Sequence, residues 1–191
     1  MLAYLRLIYY KKLAKKLIQN NAYKRKAFED RDVLERIIFP YVLSYFKPKK
    51  ILDIGREGYQ EFYNDFFKDR QLWTMDIDPA KHEFGSIHHI TDDVANLKKY
   101  FNNNNFDFIL MNGVFGWGLN NEKEIQITFN AIYDILKSKG IFILGYNDDI
   151  IPLYKIEGLN NLKPYYFKPL KNDTFTCING NHTYKFYIKQ Q

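Results

Sequence analysis

The sequence contains a single cysteine, Cys177, among its 191 residues. One thiol cannot form an internal disulfide, so an oxidising compartment is not required and a buried, inert thiol is expected. The chain must then be stabilised by its core, and its composition allows this, because 46% of the residues are hydrophobic and 18% are aromatic. These features predict one globular domain.

The sequence also lacks a long apolar run. No segment reaches the roughly 20 consecutive apolar residues that a membrane-spanning helix requires. The opening segment, MLAYLRLIYY, is interrupted by Arg6 and is not followed by a small-residue cleavage site. We therefore expect a cytoplasmic protein.

Acidic residues are absent from positions 1–28, which hold eight Lys or Arg residues. The chain carries a net charge of +6, so its basic character belongs to this segment. At about 100° per residue, the lysines and the apolar residues of positions 7–18 fall on opposite arcs of a helix. The lysine arc comprises Lys11, Lys12, Lys15 and Lys16, and the apolar arc comprises Leu7, Tyr10, Leu13, Ala14, Leu17 and Ile18.

Two interpretations of this basic amphipathic helix remain open. Residues 1–28 could bind an anionic membrane surface or a nucleic acid, and the first of these would place the protein at the periphery of a membrane. The helix could instead pack on its own domain and expose a solvated lysine face.

A second helix is predicted over residues 32–46 with Pro40 inside it, so residues 1–47 are expected to form a helical segment packed on or appended to the core.

From residue 48 to residue 191, short segments rich in β-branched and aromatic residues alternate with segments of helical periodicity. Strands are predicted at residues 50–55, 72–77, 86–91, 106–113 and 140–146, and helices at residues 59–68, 94–101 and 122–137. This alternation predicts an α/β fold with a parallel sheet covered on both faces, whose ligand binds outside the carboxyl ends of the strands. Residues 174–178 and 183–189 flank a turn at Asn179, Gly180, Asn181 and His182, which is typical of a β-hairpin.

Five short segments, taken in order, resemble those of the class I S-adenosylmethionine-dependent methyltransferases. They are ILDIGREG, WTMDIDP, ITDDVANL, FDFILMNGVFGWG and ILKSKGIFILG, and they cover roughly residues 48–147. The resemblance implies a Rossmann-like, doubly wound, mostly parallel seven-stranded sheet with a C-terminal antiparallel hairpin. It also implies S-adenosylmethionine as the cofactor.

The resemblance places the methionine part of the cofactor at the end of the first strand. Asp53 and Gly55 would lie there with Glu57 and Gly58 of the following loop. Asn112, at the end of the fourth strand near the expected acceptor, is also assigned to the predicted cofactor site. A glycine at such a position lets the backbone approach a ligand closely.

The resemblance assigns the ribose and the adenine to acidic residues that follow the next two strands. Asp76 would accept hydrogen bonds from both ribose hydroxyls. Asp93 would receive the adenine amino group beside the Val94 backbone N–H, with Asp92 as the alternative if the register differs by one residue. These acids could instead cap helices or stabilise turns, which are positions that Asp favours. Asp78, two residues after Asp76, could likewise be only a turn residue.

The glycine loop departs from the family pattern. Members commonly carry G-x-G-x-G, and here Gly55 fills the first place while Glu57 and Tyr59 occupy the others. The nicotinamide-type G-x-G-x-x-G is absent too, which disfavours a dehydrogenase because a pyrophosphate could not approach easily. S-adenosylmethionine has no phosphate and carries a positive sulfonium, so a nearby glutamate is less harmful to it. We interpret the loop as a modified cofactor site, with a relic as the alternative.

The methyl acceptor is expected beyond the fourth strand, in contact with Phe115, Trp117 and Tyr146. Many members place a Glu-His or His-His pair where Gly116 and Trp117 stand, so no base is evident there. Asp148 is the remaining candidate for a catalytic base. An N/D-P-P-Y/F sequence is missing, which argues against methylation of a nucleobase or amide nitrogen.

The function predicted from these residues is methyl transfer from S-adenosylmethionine to a small-molecule, sugar or lipid-type acceptor. One alternative is a methyltransferase-fold protein that binds a ligand or partner without catalysis. The other is a membrane- or nucleic-acid-associated module that uses residues 1–28. No metal is predicted, because His88 and His89 fall on opposite faces of one strand without a cluster of further ligands.

Overall fold

Helices and strands alternate along most of the chain, which the computed structural model describes for residues 1–149, 161–178 and 180–190. The helices are α1 (Leu2–Asn20), α2 (Glu29–Val33), α3 (Phe39–Tyr45), α4 (Tyr63–Phe66), α5 (Leu97–Tyr100) and α6 (Glu122–Ile135). The strands are β1 (Lys50–Ile54), β2 (Gln71–Asp76), β3 (His88–Thr91), β4 (Phe106–Asn112), β5 (Leu136–Asn147), β6 (Lys163–Pro164), β7 (Thr174–Thr176) and β8 (His182–Ile188).

The described strands form one sheet in the order β3-β2-β1-β4-β5-β8-β6, with β7 also paired to β8. Strands β1 to β5 are parallel to one another, and β8 runs antiparallel to β5, β6 and β7. This confirms the predicted mostly parallel sheet with an antiparallel C-terminal hairpin. The strand order reverses between β1 and β4, which is where ligands bind in open α/β sheets.

The two faces of the sheet are covered by different helices. On β1, Ile51 packs in the cluster that contains Leu17 of α1 and Phe39 of α3. Leu52 packs in the opposite cluster, which contains Ile132 of α6. Alternate residues of a strand point to opposite faces, so a strand covered on both sides must be apolar at nearly every position.

The predicted helix at residues 32–46 begins earlier, at Glu29, and contains a π-helical segment at Leu34–Ile38. There the backbone N–H of Phe39 donates to the Leu34 carbonyl, one residue further back than in an α-helix. The widened turn directly precedes Pro40, which has no N–H and whose ring would clash with the carbonyl four residues earlier.

Other boundaries differ because 3₁₀ turns replace parts of the predicted helices. The predicted helices at 59–68 and 94–101 are represented by 3₁₀ turns at Gly58–Gln60 and Val94–Asn96, followed by α4 and α5. Strand β5 begins at Leu136, directly after α6. Asn179, placed in the hairpin turn by the sequence analysis, lies outside the described residues. Within the described chain, no helix combines the length and apolar character needed to cross a bilayer.

Helix α1 packs on the core through its predicted apolar arc. Ala14, Leu17 and Ile18 are buried, and Arg6 Nε donates a hydrogen bond of 3.1 Å to the Ser44 carbonyl of α3. The predicted lysine arc faces outward along its whole length. The lysines are therefore not needed to hold the helix in place.

Candidate functional site

A cavity of about 1450 Å³ lies at the carboxyl ends of β1, β2 and β4. Seven predicted site residues line it, namely Gly55, Glu57, Asp76, Asp93, Val94, Asn112 and Trp117. Residues 26–33 of the N-terminal segment and His182 of β8 contribute further parts of the wall. The cavity thus lies between the reversal point of the sheet and the helical segment that precedes β1.

Gly55 makes the turn after β1 possible. Its φ is +89°, and a Cβ at this position would lie 2.3 Å from the Asn112 carbonyl oxygen and 2.6 Å from Val114 Cγ2. Its N–H donates to the Met75 carbonyl at 2.9 Å. The chain therefore passes closely between the ends of β2 and β4, in a conformation that other residues rarely adopt.

Arg56, the residue after this turn, is fully buried. Its Nη1 donates to Asp53 Oδ2 at 2.7 Å and its Nη2 to Asn64 Oδ1 at 2.5 Å. Burial raises the pKa of Asp53, and the Arg56 charge opposes that change. Asp53 Oδ2 is thus paired inside the protein, Oδ1 has no hydrogen-bond partner among the described residues, and the residue is not part of the cavity wall. A buried carboxylate needs a nearby cation, and Arg56 supplies it.

Glu57 forms an ion pair of 2.9 Å with Lys81. Its backbone N–H donates to Gln60 Oε1 at 2.7 Å, as part of a capping box on the 3₁₀ turn. Gly58 lies outside the cavity wall, and a Cβ there would stand 3.2 Å from the Phe84 ring. The contact of Gly58 with the cofactor stays a prediction, and in the structure the glycine makes room for an aromatic ring.

Asp76 ends β2 at the cavity and organises the adjoining backbone. Oδ2 accepts the Arg56 N–H at 2.7 Å, and Oδ1 accepts the Asp78 N–H at 2.9 Å. Each carboxylate oxygen can accept more than one hydrogen bond, so the group retains capacity for a ligand. Asp78 caps the following turn by accepting the Ala80 N–H at 2.9 Å, which matches its alternative role as a turn residue.

The two acids after β3 have different surroundings. Asp92 accepts hydrogen bonds from the Asp93 N–H at 2.7 Å, from Asn96 Nδ2 at 2.8 Å and from the Tyr100 hydroxyl at 2.6 Å. These bonds, led by that of Tyr100, lower the pKa of Asp92. Asp93 uses Oδ1 to cap the next turn through the Ala95 N–H at 2.8 Å. The geometry favours Asp93 over Asp92 as a ligand contact, because three local hydrogen bonds hold the Asp92 carboxylate and one holds that of Asp93.

Three polar residues that the sequence analysis did not combine meet at the floor of the cavity. Asn112 is buried, and neither atom of its amide has a hydrogen-bond partner among the described residues. His182 Nε2 is also buried without a partner there, whereas its Nδ1 lies 2.7 Å from Asn147 Oδ1. This contact assigns the proton to Nδ1 and leaves a lone pair on Nε2.

Gly145 brings the Asn112 and His182 side chains together. A Cβ on Gly145 would lie 2.2 Å from Asn112 Oδ1 and 2.9 Å from His182 Nε2. The antiparallel pairing of β5 and β8 places Asn147 opposite His182. Buried polar atoms without partners are rare in proteins, so this cluster is suited to a polar ligand group.

Two of the three predicted acceptor contacts lie elsewhere. Phe115 and Tyr146 belong to the core, with ring centroids 6.4 Å apart. Tyr146 follows Phe142 and Leu144 at alternate positions of β5, and all three point to the same buried face. Trp117, 64% exposed, does line the cavity.

The predicted base is also displaced from the cavity. Asp148 is exposed, accepts a hydrogen bond from the Thr183 hydroxyl at 2.7 Å and is not part of the cavity wall.

Cys177 is buried, and burial is the main cause that raises its pKa to about 12. His89 bonds Thr74 Oγ1 at 2.9 Å, and His88 stacks on Trp73. No group of three metal-ligating side chains is found in the part of the chain that the structure describes.

The burial of His182 predicts a pH-dependent stability. Burial is the main cause that lowers its pKa from 6.5 to about 4. The contribution of neutral His182 to the free energy of unfolding is complete above pH 6.5. It is lost as the pH falls towards 4, because the unfolded chain then binds a proton that the folded chain excludes. The loss should reach about 3 kcal/mol at about 1.4 kcal/mol per pKa unit.

Urea unfolding of the wild type and of His182→Gln at pH 7 and pH 4.5 measures this effect. The difference between the two proteins isolates His182, since the other histidines are present in both. We expect the wild type to lose more stability than the variant on acidification. Parallel losses would show that His182 is not the responsible group.

No protein-family model matches this chain, and no curated protein sequence matches it either. Solved structures do share its fold. N-methyltransferase NodS from Bradyrhizobium japonicum WM9 in complex with S-adenosyl-L-homocysteine aligns with a TM-score of 0.59 and 14% identity, covering 92% of this chain and 99% of that chain. A TehB-like SAM-dependent methyltransferase from Corynebacterium glutamicum aligns with a TM-score of 0.57 and 17% identity, covering 74% and 80%.

An RNA-modifying enzyme shares the fold as well. The 16S rRNA N2 G1207 methyltransferase RsmC from T. thermophilus, in complex with AdoMet and guanosine, aligns with a TM-score of 0.54 and 9% identity, covering 75% of this chain and 35% of that chain. Proteins of this fold therefore methylate different kinds of acceptor. The comparisons show that the chain has the Rossmann-like fold of class I methyltransferases.

Proposed function

We propose that this chain uses its methyltransferase fold to bind S-adenosylmethionine and to methylate a small-molecule acceptor. The observation that carries the proposal is the cavity at the reversal point of the sheet, where Gly55, Asp76 and Asp93 lie at the carboxyl ends of three successive strands. Neighbouring structures with this fold are named as methyltransferases, two of them in complex with AdoMet or S-adenosyl-L-homocysteine.

The residues present fit this cofactor in a modified way. Asp76 would accept the ribose hydroxyls, and Asp93 with the Val94 N–H would contact the adenine. The unpartnered amide of Asn112 and the backbone of the Gly55 turn would face the methionine end. Because Asp53 pairs with Arg56 through Oδ2 and lies outside the cavity wall, the ammonium group would be held without it.

When bound, S-adenosylmethionine supplies an activated methyl group, so the protein must mainly orient the acceptor and exclude water. His182 would accept a hydrogen bond at Nε2 from the O–H or N–H of the acceptor and orient its attacking atom, because burial lowers the pKa of the ring to about 4 and favours the neutral form. Its Nε2 carries a lone pair, and Asn147 holds the ring at 2.7 Å. This assignment replaces Asp148, which lies outside the cavity wall.

The rim of the cavity favours a small acceptor with an apolar part. Phe28, Ile77 and Trp117 line the cavity and are each at least 60% exposed. Exposed apolar side chains around a concave site are typical of small-molecule binding sites. Sugar and lipid-type acceptors remain within this proposal, because both can combine apolar faces with a hydroxyl group.

A second candidate is a binding protein without catalysis. The buried Arg56–Asp53 pair favours it, because an ion pair stands at the loop where family members commonly have glycines. Calorimetry with S-adenosylhomocysteine and S-adenosylmethionine tests binding, and release of S-adenosylhomocysteine from S-adenosylmethionine tests turnover. Binding with no turnover across hydroxyl- and amine-bearing acceptors would favour the second candidate.

Asp76→Ala is expected to weaken S-adenosylhomocysteine binding by about 1–3 kcal/mol, the usual cost of losing charge-assisted hydrogen bonds. The matched control is Asp78→Ala, which removes an acid two positions away that caps a turn. Calorimetry should show a large loss for the first variant and a small one for the second. Unchanged affinity in folded Asp76→Ala would remove Asp76 from the site, and a wild type that binds neither cofactor form would leave only the fold.

A further inference from the structure

The outward face of α1 has an apolar half and a basic half. In its first turns Tyr4, Leu5, Ile8 and Tyr9 are between 37% and 61% exposed. In the following turns Lys11, Lys12, Lys15 and Lys16 are exposed on the same outward side. The sequence analysis identified the lysines but not the apolar patch in front of them.

This face has no structural task within the described chain. The inward side already anchors the helix through Leu17 and Ile18 and through the hydroxyl of Tyr10, which accepts a hydrogen bond from Arg70 Nη2 at 2.9 Å. The ion pairs of the described residues do not include any of these four lysines. A contiguous exposed apolar patch beside uncompensated charge is characteristic of an interaction surface.

We propose that the outward face of α1 binds the surface of an anionic lipid bilayer. Leu5 and Ile8 would enter the boundary between headgroups and acyl chains, and the tyrosines would lie at headgroup level, where amphipathic rings are favoured. The four lysines would contact the anionic headgroups. The combination of apolar and basic residues on one helix face is the feature that such a surface recognises.

Two other occupants fit less well. A nucleic acid would use the lysines but would leave the apolar patch exposed to water. A second copy of this chain would bring uncompensated lysines close to one another, which is unfavourable. The proposal does not depend on methyl transfer, and it would hold for a catalytic or a non-catalytic protein.

Sedimentation of the full chain with vesicles tests the proposal. Binding to phosphatidylcholine vesicles should be weak, should rise when phosphatidylserine is included and should fall as salt increases. Leu5→Gln/Tyr9→Gln should weaken binding by about tenfold. Lys12→Gln/Lys16→Gln should weaken it by about fivefold for each lysine.

The matched control is Lys98→Gln/Lys99→Gln, which removes the same charge from α5 on the opposite face of the sheet. This control should retain wild-type binding, and thermal unfolding should confirm that each variant is folded. The proposal is overturned if the Leu5/Tyr9 variant binds like the wild type. It is also overturned if duplex DNA, and not vesicles, is bound at low salt, or if the apolar patch instead mediates self-association. Cofactor calorimetry is a separate measurement, so either idea can fail alone.

Discussion

Arg56→Met is expected to lower the free energy of unfolding by about 3–5 kcal/mol, because it leaves the Asp53 carboxylate buried without its cation. Both partners are almost completely inaccessible, and Nη1 of Arg56 lies 2.7 Å from Asp53 Oδ2. Methionine keeps most of the length and apolar contact of the arginine stem. The loss therefore reports the electrostatic and hydrogen-bonding role of the guanidinium.

Urea unfolding of three variants separates this effect from a general one. Arg36→Met breaks an exposed ion pair with Asp32 and should cost less than about 1 kcal/mol. Asp53→Asn/Arg56→Met removes both charges and should be more stable than Arg56→Met alone. The deficit of Arg56→Met should shrink as the pH falls, because burial raises the pKa of Asp53 and protonation then removes the unpaired charge.

If Arg56→Met lowers the free energy of unfolding no more than Arg36→Met does, the stabilising role of the buried pair with Asp53 would be contradicted. A double variant as unstable as the single one would contradict it too. In that case the hydrogen bond of 2.5 Å from Arg56 to Asn64 would be the more important contact. The result bears on function as well, since Asp53 Oδ2 is free to meet a ligand only if Arg56 can leave it, whereas Oδ1 has no partner among the described residues.

Gly55→Ala should be the most damaging of three glycine substitutions around the cavity. The positive φ of +89° should cost about 1–2 kcal/mol. A Cβ at 2.3 Å from the backbone oxygen of Asn112 should add about 1–3 kcal/mol, because a backbone atom at the end of a paired strand cannot turn aside. The expected total is about 2–5 kcal/mol, measured as loss of unfolding free energy.

Gly113 and Gly118 provide graded controls. Gly113 has a φ of +69° but nothing within 4 Å of an added Cβ, so Gly113→Ala should show the backbone cost alone. Gly118 also has nothing within 4 Å, and Gly118→Ala should change stability by less than about 0.5 kcal/mol. If Gly55→Ala and Gly113→Ala lower the free energy of unfolding equally, the close approach of Gly55 to β4 would make no contribution to the loss.

Much of the fold could be predicted because periodicity is a local property. Apolar runs such as KILDIG and FDFILMNG correspond to β1 and β4, which are buried on both faces. Parallel pairing then brings their carboxyl ends together, so Asp76 and Asp93 could be expected beside one cavity. The π-helical segment at Leu34–Ile38 could not be expected, because it depends on how the chain accommodates Pro40 after the helices have packed.

The inward turn of Arg56 and the polar floor of the cavity were beyond prediction for a different reason. A charged side chain after a glycine turn is usually solvent-exposed, and only tertiary packing shows that Arg56 turns inward to Asp53. His182 stands in sequence between two strands and looks like part of a turn. Its contact with Asn147 requires the register between β5 and β8, and local sequence contains little information about the register of strands distant in the chain.

The place of β8 in the sheet has a consequence for the order in which the molecule is made. Strand β8 lies between β5 and β6, although β5, ending at Asn147, precedes His182 by many residues in the chain. During synthesis one edge of β5 therefore stays unpaired until β8 has left the ribosome, and an open strand edge can pair with other chains. The ring of His182 meets Asn147 only when that gap is closed, so the nascent protein completes its polar floor and protects its sheet in the same step.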